Sequence, residues 1–176
     1  MLKDIISMPE TTYLGLGIMM PWENNLDMQF AHWKEAFASG KVDQLKKICG
    51  SDRVLGIFCY RCDMEAQTFS YHIACENKRH AASPEFEELR LEALTFARFE
   101  RSCTDASQRF SEYHALCEEI WRQWLANSSF ISLIEPETCG CVEGYASLEI
   151  YTPENPTAAA YTLEMLLPVA KKQDMA

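Results

Sequence analysis

Basic residues are scarce in this chain, which has 16 lysines and arginines against 26 aspartates and glutamates and a net charge of −10. A protein that binds nucleic acid by itself needs a cationic surface to displace counterions, and this composition offers none. The negative charge instead favours neutral or cationic ligands, or a basic protein partner.

Long apolar runs are also missing, since no stretch approaches the about 20 residues of a membrane-spanning helix. The start Met1-Leu2-Lys3-Asp4-Ile5 lacks the length and flanks of a signal peptide. We therefore expect no membrane insertion and a cytoplasmic location. Catalytic signatures are absent as well: we find no nucleophile–base pair, phosphate-binding loop or metal motif.

The chain has eight cysteines, which we expect to be reduced in the cytoplasm and to act as small apolar side chains. Cys59 and Cys62 have C-x-x-C spacing, but they follow a strand-like run and would point to opposite faces of a strand. This argues against shared metal ligation. Cys139 and Cys141 are predicted to lie in an oxidisable loop. We predict no metal and no other cofactor.

Two amphipathic helices are predicted. The first begins near Asn25 or Asp27, which are good N-cap residues, and stops by Gly40, with a short follow-on helix that closes at Gly50. The second begins after Asp105 or Ser107. Its apolar stripe at helical spacing is Phe110, Tyr113, Cys117, Ile120, Trp121, Trp124 and Leu125. Most of this stripe is assigned to the core, and Trp124, near the helix end, is expected to reach a cavity.

The remaining patterns predict strands over Tyr13 to Met20, Val54 to Cys62, Thr68 to Ala74, Leu89 to Glu100 with a kink near Ala93, Tyr145 to Thr152 and Tyr161 to Val169. The order strand, helix, hairpin occurs twice, in halves of about 1–82 and 83–176. We therefore predict one duplicated α+β domain over 1–176. Its antiparallel sheet would carry two main helices on one face and a ligand groove on the other.

Glu149 is the most informative residue of the alternating segment Ser147-Leu148-Glu149-Ile150-Tyr151-Thr152-Pro153. Because side chains on a strand repeat with period two, Tyr145 and Tyr151 share its face. A carboxylate between aromatic rings suits an organic cation, since the rings offer π-faces and the acid offers countercharge. The alternative is that Glu149 points into water from a half-buried strand.

The order of elements resembles the GyrI-like family of effector-binding domains, the ligand modules of AraC-type and multidrug-sensing MerR-type regulators. Four segments carry the resemblance: Tyr13-Leu14-Gly15-Leu16-Gly17; Phe69-Ser70-Tyr71 with the preceding Gly56 strand; Ile120-Trp121-Arg122-Gln123-Trp124-Leu125; and Leu148-Glu149-Ile150-Tyr151 followed by Leu163-Glu164-Met165-Leu166-Leu167-Pro168-Val169. The similarity spans essentially the whole chain.

The resemblance implies a binding protein for lipophilic cationic compounds, with Glu149 in the pocket. The ligand-binding residues that it and the strand pattern suggest are Glu149, Tyr151, Trp124, Tyr71, Tyr145, Trp33, Phe69 and Glu164. We expect the buried acid to remain poorly satisfied until a cation arrives. The expected protein partner is a second copy of the chain in a homodimer, or a separate regulator. Because no helix-turn-helix is predicted, we expect no direct nucleic-acid binding, and a transcriptional role would require the separate partner.

Two alternatives remain open. Some relatives hydrolyse cyclopropane-bearing genotoxins, and Glu149 could then act as a general base if burial raised its pKa. Gyrase-inhibiting relatives suggest instead that an acidic surface contacts a basic protein. The chain also departs from the family pattern. Ala126 replaces the usual Pro, and the longer loop from Asn127 to Tyr145 could either form a lid over the pocket or supply another acid such as Glu143.

Overall fold

The computed structural model describes residues 1–134, 142 and 144–175. Within these residues the strands are β1 (Leu2–Met8), β2 (Thr11–Pro21), β3 (Leu55–Asp63), β4 (Thr68–Glu76), β5 (Glu87–Leu91), β6 (Leu94–Cys103), β7 (Phe130–Ser132), β8 (Ser147–Thr152) and β9 (Tyr161–Lys171). The α-helices are α1 (Leu26–Ala38), α2 (Lys41–Cys49) and α3 (Arg109–Glu118). Helix α3 continues as a π-helical segment over Glu119–Leu125.

The helix boundaries follow the predicted signals. Asn25 is the N-cap of α1, and Gly50 closes α2 in a left-handed conformation with φ 68°. A short 3₁₀ turn over Ala106–Gln108 precedes α3, and the Asp105 side chain caps it by accepting from the Ser107 N–H at 2.8 Å. No helix in the described part of the chain is long and apolar enough to span a bilayer.

All strands pair antiparallel in one sheet with the order β1-β6-β9-β8-β3-β4-β2-β5, and β7 adds to β9. This confirms the predicted α+β class with a large antiparallel sheet. The order places β8 in the middle, between β3 and β9. Glu149 of β8 is therefore opposite Gly56 on one side and Met165 on the other. The duplication of the two halves stays a prediction.

Both faces of the sheet carry buried apolar residues, which alternate along the strands with period two. On the helix side the core includes Leu14, Trp33, Ile73, Phe99, Leu116 and Tyr151. On the far face a second cluster includes Tyr13, Ile57, Leu89, Leu148 and Leu166. Because Leu148 faces the second cluster, Glu149 faces the helices, and it is 0% exposed. The alternative of a solvated Glu149 is wrong.

The predicted set of strands needs three corrections. The predicted strand from Leu89 to Glu100 is broken between β5 and β6, near Ala93, and the two strands pair with different neighbours. Strands β1 and β7 were not predicted. The burial of β1 alternates, but its residue types do not follow that alternation, since Asp4 is half-buried and Ile5 is exposed; β7 has only three residues.

Cys59 and Cys62 do not point to opposite faces as predicted. Cys59 has a positive φ of 64°, and the pairing of β3 with β4 shifts register between Phe58 and Cys62. This irregularity changes the strand alternation and brings the two sulfur atoms to 3.3 Å. Cys139, Cys141 and Glu143 lie outside the described residues.

Candidate ligand-binding site

The Glu149 carboxylate accepts four hydrogen bonds from side chains. At Oε2 the donors are Gln29 Nε2 at 2.7 Å, the Tyr71 hydroxyl at 2.9 Å and the Tyr151 hydroxyl at 2.9 Å. The Tyr113 hydroxyl donates to Oε1 at 2.5 Å. The acid is thus well hydrogen-bonded without a ligand, and the expectation that it stays poorly satisfied is wrong.

These donors come from four different elements. Tyr151 is two residues from Glu149 on β8 and shares its face, whereas Tyr71 reaches it from β4 across β3. Gln29 comes from α1 and Tyr113 from α3. The carboxylate is therefore held where both helices approach the sheet.

Trp33 contacts two tyrosines of this network. It lies one helical turn after Gln29 on α1, at the i, i+4 spacing that places two side chains on one face. Its indole Nε1 donates to the Tyr71 hydroxyl at 2.8 Å, and its ring meets Tyr151 edge-on at 5.8 Å. Trp33 thus orients the two tyrosines and makes no described hydrogen bond to Glu149.

Gly56 provides the space that Tyr71 needs to cross β3. A Cβ atom at this position would lie 2.3 Å from the Tyr71 hydroxyl oxygen, 2.9 Å from its Cζ and 3.2 Å from Glu149 Cβ. Only a residue without a side chain allows this approach. The glycine quoted in the family resemblance is therefore part of the site's construction.

Burial raises the pKa of the Glu149 carboxyl above its usual value, although the four hydrogen bonds act in the opposite direction. Burial and the nearby carboxylate raise the pKa values of Tyr71, Tyr113 and Tyr151 well above the usual range, so these hydroxyls remain donors. None of the ion pairs among the described residues includes Glu149. The site therefore contains an acid with hydrogen bonds but without a countercharge.

A cavity of about 180 Å³, here called the inner cavity, reaches Glu149. Its walls include Leu26 of α1, Tyr113 and Cys117 of α3, Trp121 of the π-helical segment and Met165 of β9. It thus lies between the helices and the sheet. The groove was predicted on the face opposite the helices, whereas the cavity that reaches Glu149 lies on the helix side; the described residues of the far face form the second buried cluster.

A second cavity of about 420 Å³, here called the outer cavity, adjoins the first. The two share the wall residues Asn25, Leu26 and His114. The rest of the outer wall is Trp22, Glu23, Asn24, Asp27 and Phe110. Together they extend from the exposed start of α1 to the buried carboxylate.

The structure brings some of the predicted site residues together and separates others. Glu149, Tyr71 and Tyr151 form the network, and Trp33 supports it. Phe69 lines a neighbouring cavity of about 100 Å³ with Phe58, Cys59 and Cys62.

The other three predicted residues lie elsewhere. Trp124 packs edge-on to Phe99 and stacks on Phe130, and it lines none of the cavities described above. Tyr145 is half-buried against the main core. Met165 lines the inner cavity, and because neighbouring residues of a strand point to opposite faces, Glu164 faces away from the site. The Glu164 carboxylate lies 3.5 Å from the Arg98 guanidinium.

Sequence reasoning missed two donors, Gln29 and Tyr113. Tyr113 was assigned to the core because it falls on the apolar stripe of α3. Gln29 carries a detectable signal, since it is a polar residue three positions after Leu26 and four before Trp33, inside an apolar stripe. A buried amide at such a position needs a polar partner.

A family model described as an integron-associated effector binding protein matches residues 4–169 of this chain. No curated protein matches. A solved bacterial transcription regulation protein from Staphylococcus aureus is similar at 16% identity, over 94% of this chain and 96% of its own, with a TM-score of 0.65.

The structure of SAV2435 bound to tetraphenylphosphonium is similar at 16% identity, over 95% of this chain and 93% of its own, with a TM-score of 0.62. An integron cassette protein from the mobile metagenome of Vibrio cholerae follows at 14% identity, with 95% of each chain covered and a TM-score of 0.58. These likenesses show the fold, which agrees with the GyrI-like resemblance. Since the family model covers nearly the whole sequence, the chain belongs to the family of integron-associated effector binding proteins.

Proposed function

We propose that this chain binds lipophilic cationic small molecules, with Glu149 as the countercharge and the walls of the inner cavity as the apolar surface. One observation carries the proposal: the Glu149 carboxylate is fully buried, lines the inner cavity and has no described cation beside it. A buried charge is costly unless it is paired. An organic cation would supply the missing charge.

The four hydrogen bonds make this acid a better anchor for a cation. They stabilise the charged form of the carboxyl and fix its orientation. They do not neutralise its charge, and burial still works against ionisation. A cation placed near the carboxylate in an apolar cavity gains more Coulomb energy than it would in water.

The walls of the inner cavity suit a lipophilic ligand. Trp121 and Phe58 offer aromatic surface, and Leu26, Met165 and Leu167 offer aliphatic surface. Aromatic faces attract cations and tolerate many shapes, which favours a range of ligands over a single one. The tetraphenylphosphonium complex of SAV2435 is consistent with this ligand class for a protein of the same fold.

The experiment compares methyltriphenylphosphonium with the neutral triphenylphosphine oxide by isothermal titration calorimetry. We expect Glu149→Gln to weaken binding of the cation by at least about tenfold, because the buried countercharge is lost. Binding of the neutral compound should change less than about twofold, because the shape of the cavity is kept.

Glu164→Gln is the matched control, since it removes one carboxylate from the neighbouring strand on the far face. It should leave the affinity for both compounds unchanged. An equal loss for the cation and the neutral compound in Glu149→Gln, or an equal effect of Glu164→Gln, would contradict the countercharge proposal.

A further inference from the structure

The inner cavity is too small for an ordinary drug-sized ligand. Its volume is about 180 Å³, whereas pockets for such ligands begin at roughly 300 Å³. The outer cavity adds about 420 Å³ and meets the inner one at Asn25, Leu26 and His114. A lipophilic ligand that reaches Glu149 therefore extends into the outer cavity.

The outer cavity has aromatic walls of its own. Trp22 and Phe110 lie on its lining, and the Phe110 ring stacks on Phe30 at 5.6 Å. Phe110 is 41% exposed, so part of its ring is accessible to a ligand. These rings give the second part of a ligand a surface to stack on.

Two carboxylates in the outer cavity favour a positive charge on the part of the ligand that lies there. Glu23 and Asp27 line the outer cavity, and its described lining contains no lysine or arginine. Within the described residues neither carboxylate makes a hydrogen bond or an ion pair, unlike Glu85 and Glu154, which each pair with a lysine. Asp27 also lies in the first turn of α1, where a carboxylate is favourable in any case.

Arg109, the residue before Phe110, makes its contacts outside this cavity. Its guanidinium lies 4.9 Å from the centre of the Phe30 ring and donates to the Ala158 carbonyl oxygen at 3.1 Å. It is not part of the cavity lining. The outer cavity thus combines aromatic rings with two acids that a ligand can reach.

We infer that the site has two subsites and binds elongated lipophilic dications, with one cationic group at Glu149 and the other between Glu23 and Asp27. The inference rests on the proposed function, because it takes Glu149 as the inner anchor. The occupant is an aromatic compound with a positive charge at each end and an apolar linker between the ends.

The test uses bis(4-amidinophenoxy)alkanes with linkers of increasing length. Each is compared with the analogue in which one amidinium is replaced by a neutral nitrile. The best dication should bind about tenfold tighter than its monocationic analogue, because two partly exposed ion pairs are added. This advantage should fall as salt is raised, because exposed charges are screened.

The double variant Glu23→Gln, Asp27→Asn should remove the advantage of the dication, and it should change the affinity for the monocation no more than the charge-matched control does. Asp43→Asn with Glu65→Gln is the matched control: Asp43 also lies in the first turn of a helix, α2, and Glu65 also lies in an exposed turn. This control loses the same charge and should keep the advantage. Circular dichroism verifies that both double variants are folded.

The outcomes separate the two proposals. If the monocation binds through Glu149 but no linker length gives a dication advantage, or if the advantage survives in Glu23→Gln, Asp27→Asn, the two-subsite inference is overturned and the proposed function stands. If neither compound binds, or if binding is independent of Glu149, both are overturned.

Discussion

Gly56→Ala is expected to lower the free energy of unfolding by about 2–4 kcal/mol, because the new methyl group overlaps the Tyr71 hydroxyl and forces it away from Glu149. The Cβ atom would lie 2.3 Å from the hydroxyl oxygen, and the surrounding β3, β4 and β8 backbones are paired in the sheet and cannot easily move. Urea denaturation measures this change. The variant should also bind the phosphonium cation more weakly, because the carboxylate loses one of its donors.

A double-mutant cycle with Tyr71→Phe identifies the cause. The phenylalanine removes the overlapping oxygen, so Gly56→Ala should cost less in the Tyr71→Phe background than in the wild type. We expect a coupling energy of about 1–2 kcal/mol, the size seen for residues in direct contact. Additive effects of the two substitutions would contradict this account of Gly56.

Gly40→Ala is the control that separates the steric clash at position 56 from the general backbone cost of replacing a glycine. Gly40 has a φ of 73° and nothing within 4 Å of the position that a Cβ atom would take. Its replacement should therefore cost about 1 kcal/mol through backbone strain alone. It should leave cation binding unchanged. A loss of binding in Gly40→Ala comparable to that in Gly56→Ala would show that the site responds to stability and not to local geometry.

The sequence predicts those parts of the site that depend on local periodicity. The alternation of β8 places Glu149 and Tyr151 on one face, and Asn25 and Gly40 bracket α1, because caps and strand faces depend on a few neighbouring residues. The family resemblance adds Tyr71 and Gly56. These residues lie on strands whose pairing is set by the whole sheet and which periodicity alone could not bring together.

The parts that were missed depend on contacts between distant segments. Gln29 is 120 residues from Glu149 and Tyr113 is 36 residues from it, and each approaches only because a helix packs on a particular face of the sheet. Period two tells which residues share a face, but it does not tell which face the helices cover. This is why the groove was predicted on the far face.

Cys59 shows a second reason why strand alternation does not predict every side-chain position. Strict alternation separates Cys59 from Cys62, yet a single residue with positive φ in β3 reverses that result. Here the irregularity places a non-glycine residue in the left-handed region, which the sequence does not favour. It is held by surrounding contacts that become visible only in the folded chain.

Glu149→Gln should have opposite effects on stability and on cation binding. The folded protein raises the pKa of this carboxyl, so its contribution to stability is fully present at low pH and is lost as the pH rises through the raised pKa. The amide that replaces the carboxyl remains neutral at every pH. At pH 8 the variant should therefore be more stable than the wild type by about 1–3 kcal/mol, which is the size of the gain when buried ion pairs are replaced by uncharged side chains.

The new amide fits the existing hydrogen bonds with little change. The tyrosine hydroxyls can rotate to accept a hydrogen bond. Gln29 can flip its amide, because no described residue donates to its Oε1 atom in the present arrangement. The NH₂ group of the introduced amide would then find acceptors where the carboxylate had found donors.

Urea denaturation of Glu149→Gln and the wild type at pH 5 and pH 8 tests this, with the difference between them as the measured quantity. Desolvation lowers the pKa values of His32 and His72, so these residues also change stability in this range. Their contributions cancel in the difference between two proteins that share them. Glu164→Gln should change stability by less than about 0.5 kcal/mol at either pH, because its partner Arg98 is only partly buried.

A variant that is more stable yet binds the cation more weakly would mean that the chain retains a destabilising charge for its ligand. Cation binding should then tighten as the pH rises through the raised pKa, because only the carboxylate attracts the cation, and protons should be released on binding below that pKa. If Glu149→Gln is instead destabilised equally at pH 5 and pH 8, the four hydrogen bonds outweigh the cost of burial. The acid would then be a structural residue, and its role as an anchor would have to be abandoned.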